Sequence, residues 1–150
     1  MMRRRSSQGG FSLIEVLVAV LIVSVGVLGV AGLQLLSLQN NTSALFRTQA
    51  IQSVYDIMDR SRANRGQDYT LDMDDDAPTA PNCMTQNCSP VQMRSFDLAA
   101  WRESLAENLP EGNGAVDMDG GRMTVTVQWQ DTRNSDVDPL EIAVATLLTL

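Results

Sequence analysis

Histidine and lysine are absent from this chain, and all 11 of its basic residues are arginine. Without an imidazole the chain lacks the commonest general base and metal ligand. Cysteine is nearly absent too, with Cys83 and Cys88 the full complement. A structural zinc site needs four ligands, and no further Cys or His completes a set. Aromatic residues are few (2 Trp, 2 Tyr, 3 Phe), too few for an extended aromatic binding face. Positive charge is in deficit, with 18 acidic residues and a net charge of −7. An acidic chain repels phosphate backbones, so no direct nucleic-acid partner is expected. No nucleophile motif, phosphate-cradling glycine loop or paired catalytic carboxylates stand out. We therefore expect no enzyme activity, no catalytic residue, no metal and no cofactor.

What the chain does have is concentrated at its start. Arg3-Arg4-Arg5-Ser6-Ser7-Gln8-Gly9-Gly10 is followed by Phe11-Ser12-Leu13-Ile14-Glu15 and an apolar run to Leu33. A secretory signal peptide has its cleavage site after the apolar core. Here the candidate site, Gly10/Phe11, precedes the core, so cleavage there leaves the hydrophobic helix on the mature protein. It also removes three arginines, leaving 8 against 18 acidic residues, a net of −10. The 23 residues from Phe11 to Leu33 carry only Ser12, Glu15 and Ser24 as polar side chains. As a helix they span about 34 Å, enough to cross the hydrocarbon core. Flanking positive charge stays cytoplasmic, which puts residues 1–10 inside and everything after the helix outside. A carboxylate within a membrane helix is costly, so Glu15 is functional by default. Gly26, Gly29 and Gly32 recur every third residue, broadly on one side, where small residues let two helices approach. The alternative is that these glycines simply face lipid.

Beyond Leu33 the pattern becomes amphipathic. Ala44, Thr48, Ile51, Tyr55 and Met58 follow a 4-3-4-3 spacing, widened by Leu45 and Val54. Arg60, Arg62 and Arg65 precede Gly66, a basic last turn and a glycine stop. The spacing predicts one helix from Phe11 to about Asn64, roughly 81 Å long. Residues 66–94 read as irregular, with Pro78, Pro81 and Pro90 opposing helix. Asp72, Asp74 and Asp76 imitate the start of a calcium loop, but its glycine position is Ala77 and its glutamate position is Cys83. A solvated acidic loop is the reading preferred. Cys83 and Cys88 have four residues between them, where redox and zinc pairs usually have two. An oxidising outer compartment favours a structural disulfide, with a free thiol pair as the alternative. Residues 96–109 read as a helix burying Leu98, Trp101, Leu105 and Leu109, capped by Ser95 or Asp97 and stopped by Pro110. Gly112-Asn113-Gly114 reads as a turn, then Ala115–Met118 as a strand and Asp119-Gly120-Gly121 as a second turn. Met123, Val125, Val127 and Trp129 form the buried side of an alternating strand, Asp131–Pro139 a polar loop, and Leu140–Leu150 a final strand.

Gly10, Phe11 and Glu15, behind a basic leader and ahead of an apolar helix, make the chain resemble a type IV prepilin. In that family a membrane aspartyl peptidase cuts after the glycine and methylates the new N-terminal residue. The resemblance therefore implies cleavage between Gly10 and Phe11, N-methylation of Phe11, and Glu15 as the fifth mature residue. It also implies that Glu15 of an incoming subunit pairs with the N-terminal amine of its neighbour, with an intramolecular Phe11–Glu15 pair as the competing arrangement. Major pilins often carry a helix-breaking proline where this chain has Gly32. Further segments resemble the PilV type of minor pilin: Gly29-Val30-Ala31-Gly32-Leu33-Gln34, Asp59-Arg60-Ser61-Arg62-Ala63-Asn64, the Cys83–Cys88 spacing, Asp97-Leu98-Ala99-Ala100-Trp101, Leu109-Pro110-Glu111-Gly112-Asn113-Gly114 and Val125-Thr126-Val127-Gln128-Trp129.

The fold so implied is α+β, a pilin-like lollipop in which a long N-terminal membrane-spanning helix packs on a small antiparallel β-sheet head. Its expected parts are a leader (1–10), a transmembrane half-helix (11–36), an amphipathic half-helix (37–65) and a periplasmic head (66–150). The function implied is that of a minor pilin which primes type IV pilus assembly and supports twitching motility and attachment. The expected partners are other minor pilins and the major pilin, the prepilin peptidase, the inner-membrane assembly platform and the lipid bilayer. The expected location is the inner membrane, single-pass, then the pilus fibre or its tip. A minor pseudopilin of type II secretion shares the leader and Glu15 and is the nearest rival; a tip adhesin with its own ligand site is a third reading.

Overall fold

The structure, a computed structural model, describes residues 10–131 and 138–148. The expected leader as far as Gly9, most of the predicted 131–139 loop and the last two residues lie outside the described residues. The chain divides into two compact units, residues 1–41 and 42–150. In chain order the elements are α1 (Leu13–Ala63), α2 (Pro90–Asn108), β1 (Asn113–Asp119), β2 (Arg122–Trp129) and β3 (Leu140–Leu147). The class is α+β, as the sequence implies.

From Leu13 onward the first unit is helix, and its large apolar side chains are exposed. Every large hydrophobic residue from Leu13 to Leu38 is more than half exposed. The helix meets the length and composition needed to span a membrane, and none of its most apolar stretch is buried within the chain. The hydroxyl of Ser24 donates to the Val20 carbonyl at 2.7 Å, so this polar group is satisfied one turn back along its own helix.

The second unit holds the core. The later part of α1 contributes Ala50, Val54, Ile57 and Met58, with Phe46 packed alongside. This stripe differs from the predicted one. Val54 and Met58 are shared, but Ile51 and Tyr55 are 41% and 53% exposed. The real stripe runs Phe46, Ala50, Val54, Ile57, Ser61, rotated by one position from the spacing chosen. Both patterns satisfy helical periodicity, because this stretch has apolar residues around more than one face.

Opposite α1 lie α2 and a three-stranded sheet ordered β1-β2-β3, antiparallel throughout. Asp119 pairs with Arg122 across a two-residue hairpin loop. Gly120 and Gly121 have φ of 55° and 81°, which suits the type I′ turn that follows strand twist. On β2 Met123, Val125, Val127 and Trp129 are all buried, as their alternation predicts. The inner positions of β3, Ile142 and Val144, pack on this core but remain partly exposed. Leu98, Trp101, Leu105 and Leu109 are buried, as the helical spacing predicts.

Two local expectations are corrected. First, α2 begins at Pro90, six residues before the predicted start. Proline does not oppose this helix because it occupies the first turn, where its missing N–H goes unused. Ser89 is the N-cap: its hydroxyl accepts from the Gln92 N–H, and the Gln92 side chain accepts from the Ser89 N–H. That reciprocal pair is a capping box. Second, Asn113 and Gly114 are the first residues of β1, not a turn. Gly114 lies against Trp101, so close that a Cβ there would approach the indole to 2.5 Å.

Candidate functional site

Gly10, Phe11 and Ser12 precede α1 in non-helical conformation, and all three are exposed. The Ser12 carbonyl accepts the first helical hydrogen bonds, from Glu15 N–H at 3.0 Å and Val16 N–H at 3.3 Å. The helix therefore begins two residues after the Gly10–Phe11 bond. An irregular, exposed peptide is what a protease needs to draw its substrate into an extended form. The same-face relation between Phe11 and Glu15 rests on helix from Phe11 onward, whereas here Phe11 lies outside the first turn. Glu15 is the third residue of α1, where a carboxylate suits the positive end of the helix dipole. Its side chain has no hydrogen-bond or ion-pair partner among the described residues.

Gly26 lines a shallow groove with Val23, Val27, Val30, Ala31 and Gln34. Gly29 and Gly32 step progressively away from it, about 60° back around the axis at each three-residue interval. At none of the three would a Cβ meet any atom within 4 Å. Within the chain itself, nothing demands glycine there. Each costs helix stability relative to alanine, about 1 kcal/mol.

In the second unit Cys83 and Cys88 form a disulfide, with Cα atoms 5.6 Å apart. Cys88 immediately precedes the Ser89 cap, so the bridge anchors the approach to α2. A polar network ties the same end of α2 to α1. Asp97, 6% exposed, accepts from the Tyr69 hydroxyl at 2.7 Å and from Arg60 Nη1 at 3.3 Å. Asn64 Nδ2 donates to the Tyr69 hydroxyl at 3.1 Å and to the Pro90 carbonyl at 2.8 Å. Arg60 Nε also meets Asp56 Oδ2 at 2.9 Å. Burial works against the Arg60 charge, but Asp56 and then Asp97 outweigh it and hold the guanidinium above its ordinary range. Burial first, and then the bond to Asp97, push the Tyr69 hydroxyl well above the usual phenol range. Further along α2, the Trp101 indole N–H donates to the Ser53 carbonyl at 2.9 Å.

Sequence reasoning missed this network. Its partners are dispersed over four segments, and Asp97 reads as a cap when α2 is started too late. Ser89-Pro90-Val91-Gln92, a cap residue, a proline and a glutamine three positions on, was the signal that would have placed α2 correctly and turned Asp97 inward. The acidic stretch 72–76 forms a turn in which Asp75 Oδ2 accepts from the Asp72 N–H at 3.0 Å. Among the described residues, no group of three or more His, Cys, Asp or Glu is placed to hold a metal ion.

Comparison with known families gives two matches that abut. Residues 5–31 match the prokaryotic N-terminal methylation motif. Residues 32–99 match the family described as type IV pilin Tt1218. No curated protein and no solved structure matches the chain.

Proposed function

The chain belongs to the type IV pilins, and on that premise we propose that it is a minor pilin which primes and assembles type IV pili. The observation that carries this reading is the register at the start of α1. A small residue, an aromatic and a carboxylate occupy Gly10, Phe11 and Glu15, at the start of a helix whose large apolar side chains from Leu13 to Leu38 are exposed. The prepilin peptidase cuts between Gly10 and Phe11 and methylates the Phe11 amine. The leader is removed with its positive charge, and the apolar helix stays in the inner membrane with the head in the periplasm. Glu15 is then a carboxylate near the end of a membrane helix, where it costs less than the about 2.5–3.5 kcal/mol of a charge at the helix centre but still favours a partner. Pairing with the cationic amine of a neighbouring subunit removes that cost. The pair thus draws each subunit into the growing filament and fixes its axial position. Gly26, Gly29 and Gly32 allow neighbouring helices to approach. Other minor pilins, the major pilin and the assembly platform are the partners, and twitching motility and attachment follow from the finished fibre.

The test is the amount of pilus protein sheared from cells lacking the gene, with retraction left active. Strong loss, restored by complementation, is the expected result. Unchanged pili together with failed exoprotein release would assign the chain to a type II secretion pseudopilus instead. Unchanged pili with normal secretion would sink the priming role.

A further inference from the structure

A cavity of about 420 Å³ opens in the second unit where the end of α1 meets the β1–β2 hairpin and the end of β3. That volume is in the range of small-molecule sites. One part of its lining is apolar, from Met118, Leu147 and Leu148. Another part carries the guanidinium groups of Arg62 and Arg65. The setting makes these two charges stand out. Residues 42–150 carry 17 acidic residues against 8 arginines, a net of −9, yet two of those arginines sit at this one opening.

The site is partly pre-ordered. Arg62 Nη1 donates to Asp59 at 2.8 Å and its Nη2 to the Thr146 hydroxyl at 3.1 Å, which clamps the guanidinium from two sides. Arg65 Nε donates to the Arg62 carbonyl at 3.3 Å. The two terminal nitrogens of Arg65 have no partner among the described residues. Asp68, the acid lining the same cavity, is already engaged: it accepts from the Thr70 N–H at 2.9 Å and the Thr70 hydroxyl at 2.6 Å. Those bonds, both to one oxygen, hold its carboxyl below the usual range, so it stays charged beside the opening, but among the described residues it forms no ion pair with Arg65. A bare anion would leave the apolar wall wet. A neutral alkyl chain would fill the wall and leave the guanidinium unanswered.

We propose that this cavity binds an anionic amphiphile, a single carboxylate or phosphate head on a short acyl chain, with the head on Arg65 and Arg62 and the chain along Leu147 and Met118. The carbonyl end of α1 carries partial negative charge and opposes an anion. The site therefore depends on its guanidiniums, and the test uses that dependence. It stands apart from the filament reading, because every lining residue is in the second unit and no neighbouring subunit is needed.

The experiment is an amide-resolved NMR titration of the mature chain in non-ionic micelles with octanoate, dihexanoyl phosphatidate and octanol. Saturable shifts at Arg62, Arg65 and Leu147 from either anion are expected, with octanol weaker by about tenfold or more, as a charge-assisted contact implies. Arg65→Gln should weaken the anion by a similar factor and leave octanol unchanged. Leu147→Asp should abolish anion binding; both residues are exposed, so the core containing Trp101 and Trp129 stays intact as a folding control. Tighter binding of octanoate identifies a free acid as the natural class, and tighter binding of the phosphatidate a lipid head. No saturable shift from either anion, equal binding of octanol, or an unchanged Arg65→Gln titration would overturn the site.

Discussion

Replacing Asp97 with alanine tests whether the polar network holds α2 against α1. The carboxylate is 6% exposed and accepts from Tyr69 at 2.7 Å and from Arg60 at 3.3 Å. Its loss leaves the Tyr69 hydroxyl, on a residue with no exposed surface, with a donor and no acceptor. An orphaned buried donor costs about 1–3 kcal/mol. The Arg60 contact adds less, since that side chain is 34% exposed and keeps Asp56; a partly solvated pair is worth at most about 1 kcal/mol. The expected destabilisation is therefore ~1–4 kcal/mol. Tyr69→Phe should cost less, because it leaves Asp97 with Arg60 and Asn64 with the Pro90 carbonyl. The double variant should fall short of the sum by about 1–2 kcal/mol, the coupling of the shared bond. Urea unfolding of the full chain in micelles, followed by tryptophan emission, reads this out. Trp101 and Trp129 are both buried in the second unit and report on its core. A loss under about 0.5 kcal/mol for Asp97→Ala, or strict additivity of the pair, would refute the network as a structural tie.

Four further outcomes are expected. Gly10→Leu should block processing, and a mature-sized band on an immunoblot would count against cleavage at Gly10–Phe11. Glu15→Val should be processed normally yet be depleted from sheared fibres; normal incorporation would defeat the pairing mechanism. Replacing Cys83 and Cys88 with serine should destabilise by ~2 kcal/mol, the value for so short a loop, and hydrogen exchange should rise first in the opening turn of α2; uniform exchange would refute the anchoring role. Because the Tyr69 hydroxyl titrates higher when folded than the ordinary value of about 10, its stabilisation is complete below that value and drains away as pH rises above it. The urea midpoint of the parent should thus fall more steeply between pH 9 and about 11 than that of Tyr69→Phe; parallel slopes would show that the phenol is not linked to folding.

The parts of the fold legible in the sequence are those where one physical requirement dominates. The first half of α1 was legible because a long apolar run favours helix, although the helix starts at Leu13 and not at Phe11. Strand β2 was legible because Met123, Val125, Val127 and Trp129 alternate without exception. The stripe on α1 beyond residue 42 was not, since Ile51 and Tyr55 are as apolar as the residues that are buried, and only the shape of α2 and the sheet decides between the faces. The start of α2 was obscured by reading Pro90 as a breaker when its position after Ser89 makes it a helix initiator. The candidate processing residues rest on the Gly10-to-Glu15 spacing in the sequence alone. The Arg60–Tyr69–Asp97 network and the cavity beside Arg65 were not, because their members meet only through tertiary packing.

The arrangement of the core has a consequence for how the chain must be made. Ala50, Val54, Ile57 and Met58 form one wall of that core, and apart from Phe46 they precede the core residues that cover them. The opposite wall, Met123, Val125, Val127 and Trp129 on β2, is synthesised near the end. Until α2 and then the strands arrive, the nascent chain carries an apolar helix face without its full cover. Long-range contacts of this kind form late, and their unpaired surfaces are where aggregation begins. A chain interrupted before β2 would thus leave that helix face covered by α2 alone, so closure of the core depends on its last strands arriving intact.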